Sequence, residues 1–182
     1  RIWTQSHRYG TAPARALEID RRVADELITR LRIEATTTRT TLGAASEPDT
    51  ETYSLYLRGR ENVPPFSRRE FESSVDLLKQ VIARAPAFAP AYAAIATAYV
   101  TACALRWVEP REGFRAARRY ADRAVELDGT IVEAHVALAL IAGEYDWDWQ
   151  AAEASYARAL ELGPGSAWAH RSLARFLATQ GR

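Results

Sequence analysis

The chain has one cysteine, Cys103, one lysine, Lys79, and no methionine. A lone thiol closes no intrachain disulfide and leaves no second cysteine for a zinc or redox pair. Cys103 lies between Ala102 and Ala104 on an apolar stretch, which suits a small buried hydrophobe better than a reactive thiol. The lack of methionine points to a segment of something longer. So does a beginning in strand-like Arg1-Ile2-Trp3-Thr4-Gln5-Ser6, and an end at Gln180-Gly181-Arg182 with a helix pair half finished. No apolar run approaches the ~18–20 residues of a membrane span, and no signal-peptide pattern is present. An excess of one charge is missing too. With 24 basic and 23 acidic residues the net charge is +1, which gives no electrostatic case for direct nucleic-acid contact.

Catalytic constellations are equally scarce. Three histidines and many carboxylates occur, but none stand at nucleophile–base–acid spacing, so the segment reads as non-enzymatic, without cofactor or metal. Gly163-Pro164-Gly165 is no phosphate cradle, because Pro164 lacks the N–H that a phosphate needs. Asp146-Trp147-Asp148-Trp149 invites a hard-cation reading, but such a site takes about six oxygens, and only Glu144 and Glu153 stand nearby. The favoured reading is that Asp148 caps a helix while Trp147 and Trp149 pack between repeats.

What the chain does have is a repeated phrase. Arg84-Ala85-Pro86-Ala87-Phe88-Ala89-Pro90-Ala91-Tyr92 returns as Glu126-Leu127-Asp128-Gly129-Thr130-Ile131-Val132-Glu133-Ala134-His135, then as Glu161-Leu162-Gly163-Pro164-Gly165-Ser166-Ala167-Trp168-Ala169-His170. Each copy ends a helix, turns on Pro or Gly, and opens another helix. Gly129 and Pro164 lie 35 residues apart, near the roughly 34-residue period of a helix-turn-helix repeat. Pro86 and Gly129 lie 43 apart, one period plus an insertion bearing Trp107 and Phe114, which is read as packing.

Residues 1–9 read as a short strand and Pro13 to Ile33 as an amphipathic helix. Residues 35–49 are polar and turn-forming, hence a linker. Helices are expected from Glu51 to about Asn62, then behind the Ser67–Glu70 capping box. Others should span Ala89 to about Leu105, start at Pro110, run from Ile131 to Gly143, follow Asp148 to Leu162, and run from Ser166 to Thr179. No strand is expected after residue 50.

The second half resembles tetratricopeptide repeats. Tyr92, Ile95, Ala96 and Tyr99 fit the first-helix pattern, and Ala152, Tyr156, Ala159 and Pro164 fit the second. Ala117, Ala121, Ala124 and Gly129 match partly. Leu138-Ala139 and Leu173-Ala174 supply the large–small pair, with His135 and His170 in the aromatic slot. The first repeat is degenerate: Tyr53 and Tyr56 fit, Leu57 replaces a small residue, and Ser74, Leu78, Val81 and Pro86 complete it. Small residues at helix crossings let backbones approach, and the aromatic fills the gap. The fold class is therefore mainly α, a solenoid of about three and a half helix pairs over 50–182.

Ile2-Trp3-Thr4-Gln5-Ser6-His7-Arg8-Tyr9, Leu17-Glu18-Ile19, Thr52 to Arg60 and Asp146 to Glu153 extend the resemblance. They are similar to the tail of a TolB-like α/β module, here residues 1–34, joined to such repeats in bacterial regulators. In that architecture the effector is a winged-helix domain, a Ser/Thr kinase or an adenylate cyclase. The resemblance implies a cytoplasmic interaction scaffold whose partner is a protein or peptide segment, self-association included. It also implies which positions face the concave side: Pro90, Ala93 and Thr97, then Glu133, Val136 and Leu140, then Trp168, Arg171 and Arg175. Trp168, Arg171 and Arg175 together suit a carboxylate-bearing peptide.

Overall fold

The computed structural model describes residues 48–182. The expected strand, first helix and TolB-like remnant, and all of the linker but its last two residues, lie outside them. Seven α-helices follow one another among the described residues, with no strand: α1 (Thr50–Arg60), α2 (Arg68–Arg84), α3 (Ala89–Ala104), α4 (Pro110–Leu127), α5 (Val132–Ile141), α6 (Trp149–Leu162) and α7 (Ala167–Thr179). Each helix packs on the next, and α3 also packs on α5, as α5 does on α7. Short connections between successive helices and contact between alternate ones make a stack of helix pairs.

Local chemistry sets the helix starts. Asp49 accepts from the Thr52 amide at 2.7 Å, which holds its carboxyl below the usual range. Ser67 accepts from the Glu70 amide, and the Glu70 carboxylate takes the Phe66 amide rather than the N-cap's own. Glu109, Asp148 and Ser166 cap α4, α6 and α7 in the same way, each side chain satisfying an N–H the helix cannot. Helices α3 and α5 differ, having Phe88 and Ile131 at the N-cap and no side-chain cap. Both are apolar nearly all round, as helices enclosed by neighbours must be, whereas α2 and α4 carry one apolar face.

Alanine makes the close crossings possible. Ala96, Ala117, Ala124, Ala139, Ala152 and Ala159, the small slots of the repeat pattern, are fully buried, as is Ala121 in the bulky slot that Tyr156 fills in the next repeat. Ala174 occupies the same slot in α7 but is exposed, since no described helix covers that side. The inserted residues fill space as expected: Phe114 is buried and stacks on Tyr145 with ring centroids 4.9 Å apart, and Trp107 packs against the cluster of Phe71, Val75, Ala98 and Ala102. Cys103 is buried, and that burial, with Glu109 a lesser cause, pushes its thiol up to about 11.

The aromatic slot does more than fill a gap. Tyr92 donates its hydroxyl to the Pro86 carbonyl at 2.9 Å. His135 Nε2 meets the Gly129 carbonyl at 3.0 Å, and His170 Nε2 meets that of Pro164 at 2.8 Å. In three successive repeats the slot residue thus ties back to the carbonyl six residues earlier and closes the inter-repeat turn.

Two expectations need correction. The helix read as Ile131 to Gly143 narrows to α5 and then widens into a π-turn, Ala142–Asp146. Trp147 follows in the left-handed region (φ 60°), and the Asp148 amide reaches back to the Ala142 carbonyl at 2.9 Å. This one turn holds two cross-repeat ion pairs, Asp146 with Arg118 of α4 and Glu144 with Arg175 of α7. Asp148 does cap α6, but Trp147 and Trp149 do not pack between repeats: they are 73% and 51% exposed. The left-handed backbone turns the first outward, and its neighbour sits on the solvent side of α6's first turn.

Candidate functional site

A groove of about 390 Å³ is lined by Tyr56, Arg60, Val63, Pro64, Pro90, Ala93, Ala94, Thr97, Ile131, Glu133 and Trp168. Its floor is the first half of α3. Here the small side chains Ala93, Ala94 and Thr97 leave a trough beside Tyr56, and the Thr97 hydroxyl is spent on the Ala93 carbonyl at 3.0 Å. One wall is the end of α1 with the Val63-Pro64 segment. The other is the start of α5 and of α7.

The charge of the groove is one opposed pair. Arg60 of α1 and Glu133 of α5 approach to 3.6 Å across the trough, each about half exposed. That distance is attraction without a well-formed hydrogen bond. Arg60 also lies 6.0 Å from the Tyr56 ring centroid, within cation–π range. Burial raises the Tyr56 phenol above its ordinary value, and Arg60 partly offsets the shift.

A second hollow, about 320 Å³, is lined by Ala104, Ala139, Leu140, Gly143, Glu144, Tyr156, Arg175, Phe176 and Thr179. The hydrogen-bonded Glu144–Arg175 pair lies on it. Tyr156 is enclosed beneath, its ring 5.5 Å from that of Phe176, and burial first, then the Glu144 charge, drives its phenol up.

The nine positions expected on the concave side therefore divide. Pro90, Ala93, Thr97, Glu133 and Trp168 line the groove. Leu140 and Arg175 line the second hollow. Val136 is fully buried in the core and Leu140 nearly so, which corrects the expectation that both are exposed. Their slots face the close packing of α5 against α3 and α7. Arg171 is exposed, without an ion-pair partner among the described residues. Trp168, Arg171 and Arg175 do not converge, because Trp168 turns to the first groove while Glu144 holds Arg175 at the second. The sequence reading missed Tyr56, Arg60, Val63 and Pro64. The signal was available in Arg60, which stands seven residues after Tyr53, the place Tyr99 takes after Tyr92.

Comparison with known proteins agrees with this architecture. No family model and no curated protein matches the chain. The Arabidopsis OM64 tetratricopeptide domain matches with TM-score 0.54 at 19% identity, over 69% of this chain and 93% of that one. The first tetratricopeptide domain of Spaghetti (RPAP3), bound to the HSP90 peptide SRMEEVD, matches with TM-score 0.55 at 18% identity, over 77% of this chain and 100% of that one. At such identities the likeness establishes the fold, a tetratricopeptide-type helical repeat.

Proposed function

We propose that residues 50–182 are a non-enzymatic scaffold that binds a protein or peptide segment in the groove over α3. Glu133 and Trp168 are its contacts on the α5–α7 wall, and Arg171 lies outside it as an accessory charge. The observation that carries this reading is the groove itself, an apolar trough walled by separate repeats. Its titratable lining is Tyr56, Arg60 and Glu133, a set suited to orienting a partner rather than to acid–base or nucleophilic chemistry. The peptide bound by one of its structural neighbours supports the same reading.

The resemblance of Ile2–Tyr9, Thr52–Arg60 and Asp146–Glu153 to TolB-like repeat proteins supports a finer assignment. The scaffold then belongs to a cytoplasmic bacterial regulator and is the regulatory part of a winged-helix protein, a kinase or a cyclase. It makes no direct nucleic-acid contact of its own, and its partner is another protein or a second copy. Affinity capture with the wild type beside Pro90→Trp, which fills the groove, tests the binding site. The captured partner should be lost while the circular-dichroism melt stays within a few degrees. Equal capture by both proteins would remove the groove from the function.

A further inference from the structure

The two members of the groove's one opposed pair are not equally engaged. Arg60 is engaged twice, by the Tyr56 ring and by Glu133. Among the described residues Glu133 pairs with Arg60 alone, beyond hydrogen-bonding distance, and its carboxylate accepts no hydrogen bond from any of them. A carboxylate offers about four acceptor sites, so Glu133 has room for a second cation. Trp168 shares the α5–α7 wall with it, and no described Arg or Lys covers the indole. An indole face is the best aromatic surface for a cation.

Donors for an incoming carboxylate come down to the Arg60 guanidinium, which already shares its charge with Glu133 and its face with the Tyr56 ring. Pro64 and Pro90 have no N–H. The Ala89 and Ala91 amides go to the Ala87 and Phe88 carbonyls, and the Thr97 hydroxyl goes to Ala93. At the start of α5, where the helix end favours an anion, Glu133 already provides one.

Building on the groove reading above, we infer that the preferred occupant is an apolar segment carrying one arginine or lysine, its cationic group set against the Glu133 carboxylate with the Trp168 indole as a second wall. The apolar side chains of the segment fill the trough over Ala93, Ala94 and Thr97. Glu133 is the specificity-determining residue, and an acidic segment such as SRMEEVD is disfavoured in this groove.

The experiment uses the full chain and two fluorescein-labelled peptides, GSLFRLASG and GSLFELASG, titrated by anisotropy at low and at physiological salt. The arginine peptide should bind at least tenfold tighter than the glutamate peptide. Glu133→Gln should erase that preference without moving the melting temperature, and Glu133→Lys should reverse it. Trp168→Leu should weaken the arginine peptide more than the glutamate one. Equal affinities for the two peptides, or a preference that survives Glu133→Lys, would overturn the inference while leaving the groove reading in place. Pro90→Trp separates the two: peptide binding unaffected by that variant, or no binding of either peptide to the wild type, would overturn the groove reading and this inference with it.

Discussion

The groove over α3 and the hollow beside α7 each hold one arginine–carboxylate pair above an enclosed tyrosine, yet they are built for different ends. In the hollow, Glu144 and Arg175 are hydrogen-bonded, and Glu144 comes from a π-turn also held by the Asp146–Arg118 pair. The charges there are mutually committed, and Tyr156 beneath them is one of the largest fully buried side chains. In the groove, Arg60 and Glu133 stand 3.6 Å apart, and the floor is alanine and threonine rather than a filled core. The hollow is a seam between repeats, whereas the groove is a vacancy walled by repeats.

The largest expected difference between them is in stability. Tyr156→Ala removes a ring packed on Phe176 and should cost about 3–5 kcal/mol. Trp168→Ala removes a partly buried ring at the edge of the core and should cost about 1–2 kcal/mol. Urea unfolding of the two variants measures both. Equal losses would mean that Trp168 is as much core as Tyr156 and would undo the contrast.

Alkaline titration sharpens the same contrast. The folded-state phenols of Tyr156 and Tyr56 are both raised above 10.0, chiefly by burial, with the larger displacement at Tyr156. A group raised on folding adds stability that is whole below its unfolded pKa and is lost as pH climbs above it. The melting temperature should therefore fall as pH goes from 9 to 11. Tyr156→Phe should flatten that fall more than Tyr56→Phe does, and the reverse order would place the deeper burial at the groove.

The sequence made the seams legible and the groove only in part. Capping residues such as Ser67 and Asp148, the buried alanines from Ala96 to Ala159, and the proline and glycine turns follow from local spacing, because each needs one residue type at one place. The groove depends on how far α1 stands from α5, which no local pattern encodes. Glu133 and Trp168 were legible as slot positions, but their partners Arg60 and Pro64 come from the degenerate first repeat, where the pattern is weakest. Val136 failed in the other direction: its slot is a surface one only where neighbouring first helices leave it uncovered. The outward turn of Trp147 was also hidden, since a π-turn adds a residue with no compositional mark.

A smaller effect should appear at the turns beside both sites. Tyr92→Phe keeps the ring and deletes the hydrogen bond to Pro86, at a cost of about 1 kcal/mol. His135→Phe should match it, because His135 does the same for Gly129. A null result in both would leave the slot with packing alone.

The smallest expected stability change is at the charges, and there the two sites should part most clearly. Exposed ion pairs contribute about 0–1 kcal/mol because water screens them and ordering long side chains costs entropy. Glu144→Gln should fall in that range, since it breaks a pair that fastens the π-turn to α7. Glu133→Gln should sit at the bottom of it, the pair being longer and without a hydrogen bond. If the groove selects by charge, that near-silent substitution should nevertheless change which peptide binds, while Glu144→Gln leaves peptide choice untouched. Chemical unfolding and peptide titration on the same two variants read both halves. A carboxylate that matters to ligand choice and not to folding is what a binding site requires and a structural seam does not.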